Sequence, residues 1–503
     1  MMTNGPEIRG RLLARNTILN FVGLSTPLLV GIVCIPFLIR GLGIERFGIL
    51  TLIWTVVGFM SIADLGLGRA LTQFMAERLG KGQTQELPAL VWTSLALIFA
   101  LGVFGGLALA AVSPWLARDA LRVPVALQSE TIKASYLLAI SIPLVLSITG
   151  LRGVLEALQR FGLSNAIRIP TGAFSFLGPL LVLPFSHSLV PVVAILVGGR
   201  FVSWFVYLIA CCHAMPELRH DISFHPAEVT GLIGFGGWVT VSNIVNLPMV
   251  YLDRFLIGSL ISIAAVAYYA TPYDLVTKLW LVPGAVGGVF FPAFASTFPT
   301  DRVKASLLLA SAVKFVFIIL FPITLAVMFF AREGLTLWVG TKFAQQSTLP
   351  LQLLAVGAFA SALAQMAFSA IQGVGRPDVT AKVHLCEVPL YIAGVVWLIC
   401  THGIQGAAIA WTVRVLGDTA VLFLLTRRLL PETVTLIRHI LPAIALATAV
   451  FIFGALVHGE LLKVLFLAIL LTAFGTVAWF VGLVSAERRL IRGLLNGTSG
   501  QNI

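Results

Sequence analysis

The sequence predicts an all-α polytopic membrane protein of about 14 transmembrane helices, and three observations carry that prediction. Of the 503 residues, 58% are hydrophobic and 11% are charged, where a soluble domain carries about 25% charged residues; the mean hydropathy is +1.00. Apolar runs near the roughly 20 residues needed to cross a bilayer recur along the whole chain. Lys and Arg gather in alternate connections between those runs, as the positive-inside rule requires.

Taken in order, the runs place spans at 17–39, 47–67, 87–110, 132–150, 165–185, 189–211, 231–252, 262–288, 306–330, 350–371, 383–401, 404–426, 437–457 and 461–484. With the N-terminus inside, about 19 basic residues fall on the cytoplasmic side and about 9 outside, so both termini are expected in the cytoplasm. Arg9, Arg11 and Arg15 precede the first span without a convincing cleavage site after it, which predicts an uncleaved span. The net charge of +12 is accounted for by this asymmetry. Nucleic-acid binding would need a soluble basic domain, and no connection is long enough to be one. Cys34, Cys211, Cys212, Cys386 and Cys400 lie in or beside apolar runs without metal-ligand spacing, so neither a metal nor a resident cofactor is expected. The chain has no phosphate-binding Gly-rich loop with its Lys and no HExxH. Its longest outer connections, about 111–131 and 331–349, are too short to build an enzyme site; a non-enzymatic protein is expected.

The chain divides internally. Glu156-Ala-Leu-Gln-Arg160-Phe-Gly-Leu-Ser resembles Gln372-Gly-Val-Gly-Arg376-Pro-Asp-Val-Thr about 216 residues later, and Pro27 and Pro248 are similarly spaced. A repeat with an even number of spans keeps its orientation, which gives two pseudo-symmetric six-helix bundles plus two extra helices. The boundaries are 1–211 for the first bundle, 212–230 for a cytoplasmic linker, 231–430 for the second bundle, and 431–503 for the extra helices and a tail.

Charges inside the spans are the candidate functional groups, because a charge at mid-membrane costs on the order of 2.5–3.5 kcal/mol unless it pairs or meets water. Asp274 and Lys278, and Arg414 and Asp418, stand one helical turn apart and are spaced to neutralise each other. Arg200, near the middle of the sixth span, has no acid at such spacing. With Arg414, at a similar depth by the repeat, it makes a candidate anion site, since a guanidinium fork matches phosphate oxygens. Arg152, Arg160 and Arg376, near the cytoplasmic ends of spans four and ten, serve either as positive-inside anchors or as a basic vestibule, and Arg168, one or two turns inside span five, fits either reading. Asp64 and Glu387, and after them Asp274 and Asp418, are the acids open to a coupling proton or sodium ion; Glu387 has His384 one turn away.

Several stretches carry a resemblance. The Gly41-Leu-Gly43 turn before Glu45, Phe47-Gly48 and Asp64-Leu-Gly-Leu-Gly-Arg69-Ala open it. Leu252-Asp253-Arg254-Phe255-Leu256-Ile257-Gly258, Ala267-Tyr268-Tyr269 and Gly340-Thr-Lys-Phe343 follow, and Gly403-Ile-Gln-Gly-Ala-Ala-Ile-Ala410 closes it. Together they resemble the polysaccharide flippases, the O-antigen, Wzx-type branch of the multidrug/oligosaccharidyl-lipid/polysaccharide exporter superfamily. The resemblance implies two six-helix bundles in a V around a polar cavity. It implies an inner-membrane flippase that moves undecaprenyl-diphosphate-linked oligosaccharide to the outer leaflet by alternating access. The expected partners are that lipid-linked oligosaccharide, membrane lipids and other polysaccharide assembly proteins. The family's cavity residues do not transfer by motif, so the site choices above rest on depth and charge. A lipid II flippase, a cation-coupled multidrug antiporter of the same superfamily and an envelope scaffold protein stay open as alternatives.

Overall fold

The computed structural model describes residues 26–479 apart from 28, 63–65, 159, 220, 227–228, 231, 233–250, 299, 434–445, 448, 452, 455–458 and 478. Asp64, the arginines at positions 9, 11 and 15, and both chain ends lie outside the described residues. The chain is an all-α polytopic membrane protein, with no strand among the described residues. Its helices are α1 Leu29–Leu42, α2 Ile44–Ile62, α3 Leu67–Lys81, α4 Leu87–Trp115, α5 Val125–Ala157, α6 Phe161–Val182, α7 Leu189–Ala214 and α8 over 251–260. There follow α9 Ile263–Thr277, α10 Leu281–Thr297, α11 Arg302–Trp338, α12 Thr341–Gly373, α13 Pro377–Leu429 and α14 Glu460–Val477. Six described helical stretches are by themselves long and apolar enough to cross a membrane.

Helix ends follow from local chemistry. The Asp301 carboxylate accepts the Lys304 N–H at 2.9 Å and caps α11, and the Ser188 hydroxyl accepts from Val190 at the start of α7. Two stretches differ from the sequence expectation. The outer connections are shorter than 111–131 and 331–349: α4 runs to Trp115 and α5 starts at Val125, and only Val339 and Gly340 separate α11 from α12. Helix formers such as Leu, Ala and Gln carry these helices beyond their apolar cores. The single span expected at 262–288 is divided into α9, a 3-10 turn at Lys278–Trp280, and α10. Pro283 thereby falls in the first turn of α10, where its missing N–H costs little.

The chain forms two compact units: Met1–Thr271 with Val388–Ala407, and Pro272–Glu387 with Ala408–Ile503. The first packs α3, α4, α5 and α7 around Leu71, Met75, Leu90, Ile98, Leu146 and Val154. Glu130 on α5 is its rivet. It takes Nε and Nη2 of Arg46 on α2 at 3.1–3.3 Å and accepts the Leu189 N–H that opens α7. In the second unit, Phe321, Phe359, Phe451 and Phe474 pack ring on ring with centroids 4.6–6.3 Å apart. Lys463 on α14 meets Glu333 on α11 at 2.8 Å.

Within α13 the chain breaks at Gly403, whose φ of 62° and ψ of −139° suit glycine and strain any side chain. Gly406 follows, and a Cβ there would run into the Leu398 carbonyl. The Gly403–Ala410 motif is therefore the close reversal of a helical hairpin, which small residues permit.

Candidate functional site

That hairpin sets up one of two charged clusters. His384 and Glu387 lie on its first limb, Arg414 and Asp418 on its second. His384 Nε2 is 3.6 Å from Asp418 Oδ1, and Arg414 Nη1 is 3.7 Å from Glu387 Oε2. Both pairs are centred about residue 401, beside the break. All four side chains are only 16–19% exposed. Arg414 stands eleven residues beyond Gly403, about 16 Å along the helix, roughly half of a ~30 Å hydrocarbon core. Glu387 Oε2, Asp418 Oδ1 and Arg414 Nε are buried without a hydrogen-bond partner. On the α12 side the ring of Phe368 stacks on His384 at 5.9 Å. His384, Glu387 and Asp418 bring one ligand atom each within 4.8 Å of one another. That donor set suits a cation, but the Arg414 guanidinium against Glu387 puts a fixed positive charge where a metal would sit.

The other cluster belongs to the first unit and is basic. Arg152 on α5 makes an i,i+4 ion pair with Glu156 at 3.3 Å, both partly exposed. Arg168 on α6 is half-buried and lies within electrostatic range of Arg152, Glu156 and Tyr207. Tyr207, from α7, donates its hydroxyl to the Ser164 carbonyl at 3.2 Å. Three helices thus converge on two arginines and one glutamate. Arg200, seven residues before Tyr207 and two helical turns away on the same face, is half-buried with no hydrogen bond or ion pair among the described residues. Its position, about 17 Å along α7 from the start of that helix, leaves little room to snorkel. An apolar groove of about 490 Å³ between α6 and α7, lined by Pro170, Phe174, Gly198 and Val202, has no charged lining residue and is not the anion site.

The remaining candidates are scattered. Asp274 is half-buried on α9, and Lys278 is exposed in the turn that follows. Arg376, exposed ahead of α13, holds Asp378 through two bonds of 2.9 and 3.1 Å. That carboxylate raises the guanidinium pKa of Arg376 above its ordinary value. The structure therefore brings Arg152 to Arg168 and brings Glu387, Arg414 and Asp418 together. Arg200 and Arg414 belong to different units.

Sequence reasoning passed over Tyr207 and Glu156, and the Asp253–Arg254 step as a buried charge. Asp253 is 1% exposed and Arg254 4%. Asp253 accepts the Tyr269 hydroxyl at 2.6 Å and the Arg254 N–H at 2.8 Å, while Arg254 Nη1 donates to Thr55 Oγ1 at 2.9 Å. The signal was present in the Leu252–Gly258 motif: two adjacent charges in an apolar run, with a tyrosine 16 residues on.

Comparison with known proteins gives a consistent set of likenesses. Residues 13–298 match the model of a family described as "Polysaccharide biosynthesis protein". A Shigella flexneri protein that carries the name of an O-antigen transporter is 29% identical over 409 residues, 81% of this chain and 96% of that one. The lipopolysaccharide biosynthesis protein WzxC of Escherichia coli is 26% identical over 35% of this chain and 36% of its own length. Among solved structures, the inward-facing conformation of a multidrug resistance MATE family transporter of the MOP superfamily superposes with a TM-score of 0.69. That likeness covers 82% of this chain and 98% of the other at 15% identity, and so concerns the fold.

Proposed function

The chain belongs to the polysaccharide biosynthesis protein family, and from that premise we propose that it is a flippase of the bacterial inner membrane. It carries undecaprenyl-diphosphate-linked oligosaccharide from the cytoplasmic to the periplasmic leaflet by alternating access, for O-antigen, capsule or exopolysaccharide assembly. Both termini are cytoplasmic in this reading, and spans 1–6 and 7–12 are the two bundles that rock. One observation carries the proposal: the match runs through 96% of a relative named for O-antigen transport. The first unit supports it with a chemistry suited to the headgroup. Arg152 and Arg168 outnumber Glu156, and Arg200 adds a further base among the described residues without a partner. A diphosphate offers the bidentate oxygens such guanidinium groups accept. The multidrug alternative rests on fold likeness alone.

The test is removal of the gene from its own bacterium. Surface glycan should disappear and lipid-linked oligosaccharide should accumulate in the inner membrane, both reversed by the wild-type chain. Unchanged surface glycan together with heightened sensitivity to organic cations would replace this reading with the multidrug one.

A further inference from the structure

We propose that His384, Glu387, Arg414 and Asp418 form a site for one exchangeable proton, and that this proton drives the transport cycle. The second half of that statement rests on the flippase reading; the first does not.

The argument is charge balance in a confined place. Two carboxylates face one guanidinium, so with His384 neutral the cluster carries a surplus negative charge. Among the described residues, the groups whose charges act on Glu387 are Asp418, Arg414 and His384. From α12 it is the apolar ring of Phe368 that lies on His384, and from α9 the Tyr273 ring packs edge-on against Trp411, one turn from Arg414, at 5.4 Å. An uncompensated charge on membrane-spanning helices, more than four-fifths buried, is costly. One proton cancels it. Carried by His384, it makes an ion pair with Asp418 across the 3.6 Å contact, while Arg414 neutralises Glu387 across the 3.7 Å one. Shared between the two carboxyl groups, it satisfies the oxygens that otherwise lack a donor, Glu387 Oε2 and Asp418 Oδ1. A sodium ion cancels the same charge but must share Glu387 with the guanidinium, which is already in place.

The hairpin makes the site mechanically useful. The four groups lie on two limbs joined through the break at Gly403. Protonation strengthens the contacts between the limbs, and proton loss leaves a surplus carboxylate that weakens them. Membrane-embedded acid–His chains are the usual form of a proton relay.

The experiment is proton uptake by the purified full-length chain in nanodiscs, read with a pH dye between about pH 5 and pH 8. Wild type is compared with Asp418→Asn and Glu387→Gln. Either variant leaves one acid against Arg414, so each should take up roughly one proton fewer per chain than wild type. If Asp418→Asn does not fold, Glu387→Gln carries the same prediction. An uptake unchanged in the folded variants overturns the proposal. Proton release on exchanging KCl for NaCl would show that sodium competes for the site and would overturn the proton as the ion that drives the cycle. Glycan export is measured separately. Variants that lose the proton yet export normally overturn the coupling role and leave the flippase reading intact. A wild-type chain that binds the proton without exporting glycan removes the flippase reading and leaves the proton site.

Discussion

The two charged clusters are built from the same residue types with opposite balance. In the first unit Arg152 and Arg168 meet one acid, Glu156, and Arg200 stands apart without a partner among the described residues. In the second unit Glu387 and Asp418 meet one guanidinium, Arg414. A surplus of bases in an apolar protein is completed by an anion, and a surplus of acids by a cation or proton. Under the proposed function, the first unit is the one suited to an anionic headgroup and the second the one suited to a coupling proton. A third set, Asp253 and Arg254, has its charges held by hydrogen bonds within the protein. It is almost wholly buried, and each charged side chain has a described hydrogen-bond partner.

That contrast breaks most visibly at Asp253. Asp253→Ala removes the acceptor of the Tyr269 hydroxyl and of the Arg254 N–H in a place almost closed to water. Leaving a buried donor without its acceptor costs about 1–3 kcal/mol, a large share of the stability of a folded domain. The expected result is depletion from the membrane and a lower melting temperature in detergent, with export lost in proportion to abundance. Normal abundance with lost export would move Asp253 from the structural set to the functional ones.

Arg200 should behave the other way. With no described partner to strand, Arg200→Ala relieves a desolvated charge and should melt at or above the wild-type temperature. Export should nevertheless fall below detection if Arg200 holds the phosphate as proposed, because its fork is gone. Arg200→Lys should restore only part of it, since an ammonium is a point charge. Loss of abundance in the alanine variant would show instead that Arg200 is structural, and normal export from a stable variant would take it out of the site.

How much of this was legible in the sequence follows from range. The spans, the fold class and the family rest on local patterns: apolar runs, Lys and Arg counts, and motifs such as Gly403–Ala410. The sequence pairs charges by i,i+3 and i,i+4 spacing, the partnerships that a single helix displays. The cross-hairpin contacts of His384 with Asp418 and Arg414 with Glu387 span 34 and 27 residues. They appear only once the reversal at Gly403 is taken as the centre of an antiparallel pair. Tyr207 was missed for the same reason, since its contacts reach α6 from α7. Lys463 and Glu333, 130 residues apart, leave no trace of any kind in spacing.

The smallest expected effect is at Arg376, and it sharpens the comparison by testing where the basic surface stops counting. Arg376 is one of the arginines that the sequence leaves open between a positive-inside anchor and a basic vestibule. Its guanidinium is solvent-exposed and already holds Asp378 bidentately. Lys382 also reaches Asp378, at 3.7 Å, so the carboxylate keeps a basic neighbour when Arg376 is removed. Exposed pairs of this kind are screened by water and salt and contribute little to stability. Arg376→Ala should therefore leave membrane abundance, melting temperature and glycan export within error of wild type. The same substitution at Arg168, which is half-buried beside Arg152, should lower export. A strong export defect at Arg376 with normal abundance would mean that the headgroup is captured at the exposed end of α13. It would then be held there before reaching the buried arginines, and the division of labour between the clusters would have to be redrawn.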